Sequence, residues 1–272
     1  MKIDVIGCGS AFSQRNNTSS IRIIDSQQNQ WLIDCGPTVP RAIWQRDIGV
    51  NDIQVIYFTH IHPDHSSGLA ALINQWKSFQ RTEPLTIFCQ AEQRKPLEAL
   101  VALSVWPETE VCFEIHWQDI HDAFEWKHWQ IRTANTQHEM ANRAIRIEID
   151  QQTVFFSGDG RPTAASQALM LGADIAFQEC ASFDALPADS SHGDLPDCER
   201  LLAQTSVKAL GIYHCFDAAI PSLLEAVRHT PNLFVSQDGL VVDLDDDNYV
   251  QHTLDSTSVG SIPLGSALTE KG

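Results

Sequence analysis

Between residues 59 and 65 the chain reads Thr59-His60-Ile61-His62-Pro63-Asp64-His65, three imidazoles and one carboxylate within six consecutive positions. Imidazole nitrogens and carboxylate oxygens are ligands for zinc and also for iron or manganese, so the run reads as a metal-binding loop. In extended backbone, side chains two positions apart point the same way, so His60 and His62 meet one ion. The turn at Pro63 aims Asp64 and His65 at a neighbouring point. This spacing predicts two adjacent metals. The alternative, a surface loop whose polar residues include histidines by chance, fits poorly with such density behind an apolar strand. A dinuclear centre needs more ligands than one loop supplies, and three further candidates stand where predicted strands run out: His138, Asp159 and His214.

The elements that must position these residues follow from periodicity. Alternating or continuous apolar runs predict strands over 2–6, 21–24, 31–34, 54–58, 85–89, 111–117, 124–133, 144–149, 153–156, 174–178, 208–213 and 233–236. Helical spacing is read over 40–48, 67–79, 91–105, 163–171, 195–204 and 219–228. Helices and strands interleave in both halves, with hairpins as well. The pattern predicts an α/β (α+β) chain of two mixed β-sheets flanked by helices. No linker composition appears before the end, so residues 1–245 read as a single domain. From Asp245 onward an acidic run and a Ser/Thr/Gly-rich end read as a mobile C-terminal tail, 246–272, without catalytic importance. Gly7 and Gly9 follow the first strand, but no third glycine and no helix complete a dinucleotide fingerprint, so a close backbone turn beside the metal site explains them better.

Composition narrows the functions. The 272 residues are 43% hydrophobic, enough for a sizeable core, and the formal net charge of -17 repels polyanions. Without a dense Lys/Arg run, a long nucleic acid is disfavoured as partner, whereas a small phosphate ester held by metal ions is not. Seven scattered cysteines with no CxxC pair fit neither a disulfide framework nor a thiolate zinc knot, and point to a reducing cytoplasm. No signal-peptide core or membrane-spanning run is apparent. Trp76, Trp106, Trp117, Trp126 and Trp129 read as core more readily than as a surface for stacking on a base.

The histidine-rich loop, a later single histidine, the aspartate of Ser157-Gly158-Asp159 and a last histidine after a strand resemble the metallo-β-lactamase superfamily, across most of the chain. That resemblance implies a four-layer αββα sandwich and two divalent ions, most readily zinc, with manganese or iron as alternatives. It implies that His60, His62 and His138 bind one metal, that Asp64, His65 and His214 bind the other, and that Asp159 bridges them beside a shared water. Two ions about 3.5 to 4 Å apart lower the pKa of that water and neutralise charge on the attacked centre. Asp64 is also a candidate proton acceptor, and Thr59 a candidate support for the ligands.

Within the superfamily, Gly7-Cys8-Gly9-Ser10-Ala11, Trp31-Leu32-Ile33-Asp34-Cys35-Gly36, Glu179-Cys180-Ala181-Ser182 and Ser191-His192-Gly193-Asp194 are similar to segments of ribonuclease Z and related phosphodiesterases. The similarity implies a Glu179–His192 pair in which His192 donates a proton to the leaving alcohol. Alternatively, His192 caps the helix that begins at Asp194. Ribonuclease Z enzymes carry a long tRNA-gripping arm between the third histidine and the bridging aspartate. Here His138 and Asp159 leave room for one hairpin. The expected function is a metal-dependent hydrolase, foremost a phosphodiesterase on a small or medium phosphodiester such as a cyclic nucleotide, a nucleotide derivative or a short RNA end. Thioester or lactone hydrolysis by the same centre is the alternative. A metal-binding regulatory protein without turnover is less consistent with a complete ligand set. A homodimer is compatible with related folds, but no residue identifies an interface.

Overall fold

The computed structural model describes residues 1–258. Its strands are β1 (Lys2–Gly7), β2 (Ser20–Ile24), β3 (Gln30–Ile33), β4 (Val55–Tyr57), β5 (Leu85–Cys89), β6 (Ile115–Asp119), β7 (Ala123–Trp126), β8 (Trp129–Asn135), β9 (Arg143–Ile149), β10 (Gln152–Phe156), β11 (Ile175–Glu179), β12 (Ala209–Tyr213), β13 (Leu233–Val235) and β14 (Val241–Asp243). The helices are α1 (Val39–Trp44), α2 (Pro63–Ser66), α3 (Leu69–Ser78), α4 (Arg94–Val105), α5 (Ala164–Met170), α6 (Leu195–Thr205), α7 (Ile220–Val227) and α8 (Tyr249–Ser258).

Two seven-stranded sheets form, in the orders β14-β1-β2-β3-β4-β5-β6 and β13-β12-β11-β10-β9-β8-β7. Each is built on one plan. An antiparallel meander, β1-β2-β3 or β7-β8-β9-β10, continues into a parallel run, β3-β4-β5-β6 or β10-β11-β12-β13. Alternation along each strand explains the layers. On β4, Val55 and Tyr57 enter the core between the sheets, while Ile56, and Phe58 just past the strand, enter the core beneath α1, α3 and α4. On β11, Ile175 and Phe177 face the inter-sheet core and Ala176 faces the core beneath α5, α6 and α7. Four layers, αββα, result. Between the sheets Trp31 stacks on Phe88 and Trp129 with ring centroids 5.3 and 5.2 Å apart, so Trp129 is core. Trp76 is core as well, whereas Trp106 is 80% exposed.

Several boundaries differ from those expected. The stretch 124–133 is a hairpin, not one strand: Lys127 takes a φ of 52° and Trp126 pairs with Trp129. Nothing in Lys127-His128 signals that turn, because the position holds neither glycine nor asparagine. The strand expected from 111 begins only at Ile115. The helix expected over 40–48 stops at Trp44. The segment past Asp245 continues the fold through α8, whose Val250 and Leu254 pack on the inter-sheet core and whose first residue, Tyr249, donates from its hydroxyl to Asp174 O at 2.9 Å. The rest of the expected tail lies outside the described residues.

Candidate metal centre

Every candidate ligand sits at the carboxyl end of a strand, where a chain leaving the sheet carries its side chains into the gap between the two sheets. His60, His62, Asp64 and His65 follow β4, and α2 supplies the turn that separates the last two from the first two. Pro63 occupies the first turn of α2, where its missing N–H costs nothing. His138 follows β8, Asp159 follows β10 and His214 follows β12. His214 adopts a φ of 57°, and its amide donates to Cys8 O at 2.8 Å, fixing it against the first loop of the chain.

These positions assemble two adjoining groups, His60 with His62 and His138, and Asp64 with His65, Asp159 and His214; within each, the ligand atoms lie within 4.8 Å of one another. In the first, His62 Nδ1 is 3.0 Å from His60 Nε2 and 3.2 Å from His138 Nε2. Tetrahedral zinc ligands at about 2.0–2.1 Å stand roughly 3.3 Å apart, so the spacing suits a shared cation. Asp159 joins the groups: one carboxylate oxygen is 3.2 Å from His65 Nε2, the other 3.3 Å from His214 Nε2 and 3.9 Å from His60 Nε2.

Two observations test whether a metal fits. His65 Nε2 and Asp159 Oδ1 are buried and face each other without a hydrogen bond, a costly arrangement that a cation between such atoms removes. Moreover, Asp34, Asp64, Asp159 and Glu179 are buried or nearly so around this cluster, an excess of carboxylate that requires compensating positive charge. Burial opposes a charged His65, yet Asp159 and Asp34 outweigh it and hold its pKa well above the usual histidine value. Burial and the neighbouring His65 push His60 down. The donor set fits divalent ions.

Surrounding residues fix the ligands. His192 Nδ1 is 2.6 Å from Glu179 Oε1, and this hydrogen bond, against burial, raises the imidazole to about 9. The cap of α6 is Asp194, whose carboxylate accepts from Asp197 N at 2.9 Å, so the capping alternative for His192 is corrected. Thr59 Oγ1 lies 3.1 Å from His60 Nδ1 and donates to Asp34 Oδ2 at 2.8 Å.

Asp34 was not singled out from sequence as a site residue. It is fully buried with a φ of 61°, accepts from Thr59 N at 2.8 Å and contacts His65 Nδ1 at 2.8 Å, orienting that ring. Its signal was its place in Asp34-Cys35-Gly36 just after a strand. Gly36 has no room for a side chain, since a Cβ there would lie 1.8 Å from Asp64 O. Asn142 left no signal. It accepts from Asp159 N at 3.1 Å and donates to Ser157 O at 2.8 Å, shaping the turn at Gly158, whose φ is 63°. The centre opens into a cleft of about 460 Å³ whose lining includes Phe12, Glu139, Phe216 and Asp217, also unread from sequence.

Comparison with known proteins agrees with this fold. The family model described as "Anti-Pycsar protein Apyc1" matches residues 1–221. Ribonuclease Z of Limosilactobacillus reuteri (strain DSM 20016) is 30% identical over 147 residues, 52% of this chain and 46% of that protein. The chain thus matches about half the length of the curated relatives. The metallo-β-lactamase fold protein YhfI from Bacillus subtilis superposes with a TM-score of 0.75 at 17% identity, covering 88% of this chain and 97% of that one. Human tRNase Z, short form, gives 0.75 at 17%, covering 90% and 99%. The two helix-flanked sheets are the metallo-β-lactamase fold, and the sequence is ribonuclease Z-like.

Proposed function

Since this chain belongs to the family described as anti-Pycsar protein Apyc1, we propose that it is a metal-dependent phosphodiesterase that cleaves a small phosphodiester by attack of water. The observation that carries the reading is the pair of adjoining ligand groups that share Asp159, with the His192–Glu179 pair beside them. His60, His62 and His138 would hold one divalent ion and Asp64, His65 and His214 the other, with Asp159 between them. Zinc is favoured by the histidine-rich donor set. Bound there, such ions supply a nucleophilic water near neutral pH and neutralise charge on the phosphoryl oxygens.

The chain's own residues then divide the work. Asp34 and Thr59 hold His65 and His60 in position through 2.8 and 3.1 Å contacts. Asp64 contacts His214 Nε2 at 3.3 Å and lines the cleft, placed to accept a proton. His192 also lines the cleft and, kept protonated at neutral pH by Glu179, donates a proton to the leaving alkoxide oxygen. Glu179 stays fixed by Gly160 N and Gly193 N, so the imidazolium keeps its orientation.

The small substrate is supported by two features. Between His138 and Asp159 stand only β9 and β10, one hairpin, and the net charge is -17. A cytoplasmic setting is supported by seven free cysteines, six of them buried. Among the described residues no helix is long and apolar enough to cross a membrane.

Metal content by mass spectrometry, run beside hydrolysis of bis(p-nitrophenyl) phosphate, tests the proposal. Near two ions per chain with turnover that Asp64→Ala removes is the expected result. Two ions without phosphodiester turnover, but with thioester or lactone hydrolysis, would replace the phosphodiesterase by a carbonyl hydrolase. Metal with no turnover of any of the three would leave a binding protein.

A further inference from the structure

His192 is carried by a loop, and what holds that loop decides where its imidazole stands. The loop leaves β11 after Glu179 and enters α6 at Leu195, and its neck is closed by bonds from Ala181 N to Gly193 O and from Leu195 N to Ser182 O, each 3.0 Å. Among the described residues, its body, 183–192, shares no backbone-to-backbone hydrogen bond with the rest of the chain. Side chains tie it down instead.

Most of these ties come from the two strand ends that carry His138 and Asp159. Gln137 and Arg161 face each other there across a pair of backbone bonds, N to O at 3.0 Å in both directions. From this bridge both side chains reach the loop. Gln137 Nε2 donates to Ala188 O at 2.8 Å and to Ser190 O at 2.9 Å. Arg161 Nη1 donates to Leu186 O at 3.1 Å and to Pro187 O at 2.7 Å, while its Nη2 lies 2.8 Å from Asp197 Oδ2 and 3.3 Å from Asp194 Oδ2. Beside them His138 Nδ1 donates to Ser191 O at 2.9 Å, and the Glu139 carboxylate is hydrogen-bonded to the Ser191 side chain. The carbonyls of Leu186, Pro187, Ala188, Ser190 and Ser191 are thus all met from the strand ends that bear candidate ligands. Each bond is weak alone, but a planar guanidinium and an amide that each serve two carbonyls fit one position of the loop and not its neighbours.

Resting on the phosphodiesterase reading, with His192 as proton donor, we propose that Gln137 and Arg161 are positioning residues that clamp the 183–192 loop onto these strand ends and so hold the His192 imidazole beside the ligand groups. Glu179 orients the ring, and the clamp sets its place. In the hydrolysis the oxygen of water forms the new P–O bond, the P–O bond to the leaving group breaks, and the His192 proton goes to the departing oxygen. A displaced His192 therefore matters most where that oxygen is most basic.

The test compares the zinc-loaded full chain with Gln137→Glu, which keeps the shape and loses the donor, and with Arg161→Lys, which keeps the charge beside Asp194 and Asp197 but not the fork. Amide hydrogen exchange over 183–192, metal content, and kcat for bis(p-nitrophenyl) phosphate and for diphenyl phosphate are measured on each. The phenolate leaving the second ester is the more basic. Both variants are expected to keep full metal content and to exchange faster in the loop, where Leu186 N is bonded to Asp194 Oδ2 and Ser190 N to Pro187 O. Their kcat should fall about ten-fold on diphenyl phosphate, a fraction of what a general acid supplies, and less on bis(p-nitrophenyl) phosphate. The Gln137 side chain is exposed, so its variant carries the test if Arg161→Lys fails to fold. Unchanged loop exchange, no difference between the two esters, or metal loss in the variants would overturn the clamp and leave the phosphodiesterase standing. If wild type cleaves neither ester, the phosphodiesterase reading falls; faster loop exchange in the variants would then keep the clamp, and unchanged exchange would overturn both.

Discussion

The two sheets follow the same plan, yet they contribute to the site in opposite ways. The first supplies His60, His62, Asp64 and His65 from a single loop after β4, with Asp34 one strand away behind them. The second supplies His138, Asp159, Glu179, His192 and His214 singly, from the ends of β8, β10, β11 and β12 and from the loop before α6. One half is a motif and the other an assembly. A contiguous loop carries its own geometry, whereas dispersed residues depend on strand order and register being right across a whole sheet.

Removing the carboxylate that adjoins both ligand groups should have the largest effect. Asp159→Ala is expected to abolish turnover and to reduce bound metal below two ions per chain, a loss of several kcal/mol of charge stabilisation. Full metal content in that variant, read by mass spectrometry, would show that the two ligand groups hold ions independently of Asp159. His192→Ala, in the dispersed half, should slow phosphodiester turnover by about 10²–10⁴-fold while metal content is retained. Metal loss there would place His192 among the ligands. Asp34→Asn, in the contiguous half, should weaken metal affinity or activity by about 10–100-fold through the loosened His65 ring, measured by competition with a chelator.

The smallest effect lies outside both halves. Asp25 is buried in the β2–β3 turn; burial raises its pKa, but hydrogen bonds from Asn29 and Trp129 outweigh this and hold it below the usual range. A depressed folded pKa means that its contribution to stability is present above the unfolded value of about 3.9 and is lost as pH falls through the folded value. Thermal melting of Asp25→Asn should therefore lie below wild type at pH 7, with the gap narrowing toward pH 3, and phosphodiester turnover at 25 °C should be unchanged. A gap that persists at pH 3 would mean that the asparagine disturbs packing and not charge.

The contiguous half was the more legible one. Its residue types, the strand before it and the proline turn within it are local facts, and local facts survive in a sequence. The dispersed half was reachable only by matching single residues to strand ends or through resemblance. His138 lies 76 residues from the His62 it meets, and His214 lies 150 from Asp64. The least legible residues act through shape. Asn142 forms a turn by hydrogen bonds no pattern announces, and Lys127 turns a chain with an unmarked residue type. The aromatic residues also misled by abundance: the tryptophans of the middle third drew attention, while the rings that line the cleft are Phe12 and Phe216 from loops at either end of the fold.

By itself, the sequence determined that a loop of metal-ligand residue types follows a strand and that the chain folds as alternating strands and helices, because both depend on spacing within a few residues of backbone. Only the tertiary structure decided that Asp159 stands within reach of both candidate ligand groups, that Asp34 steers His65, and that Phe12 and Phe216 line one cleft. These follow from the packing of one sheet against the other, a sum of many weak contacts that no short stretch of chain records.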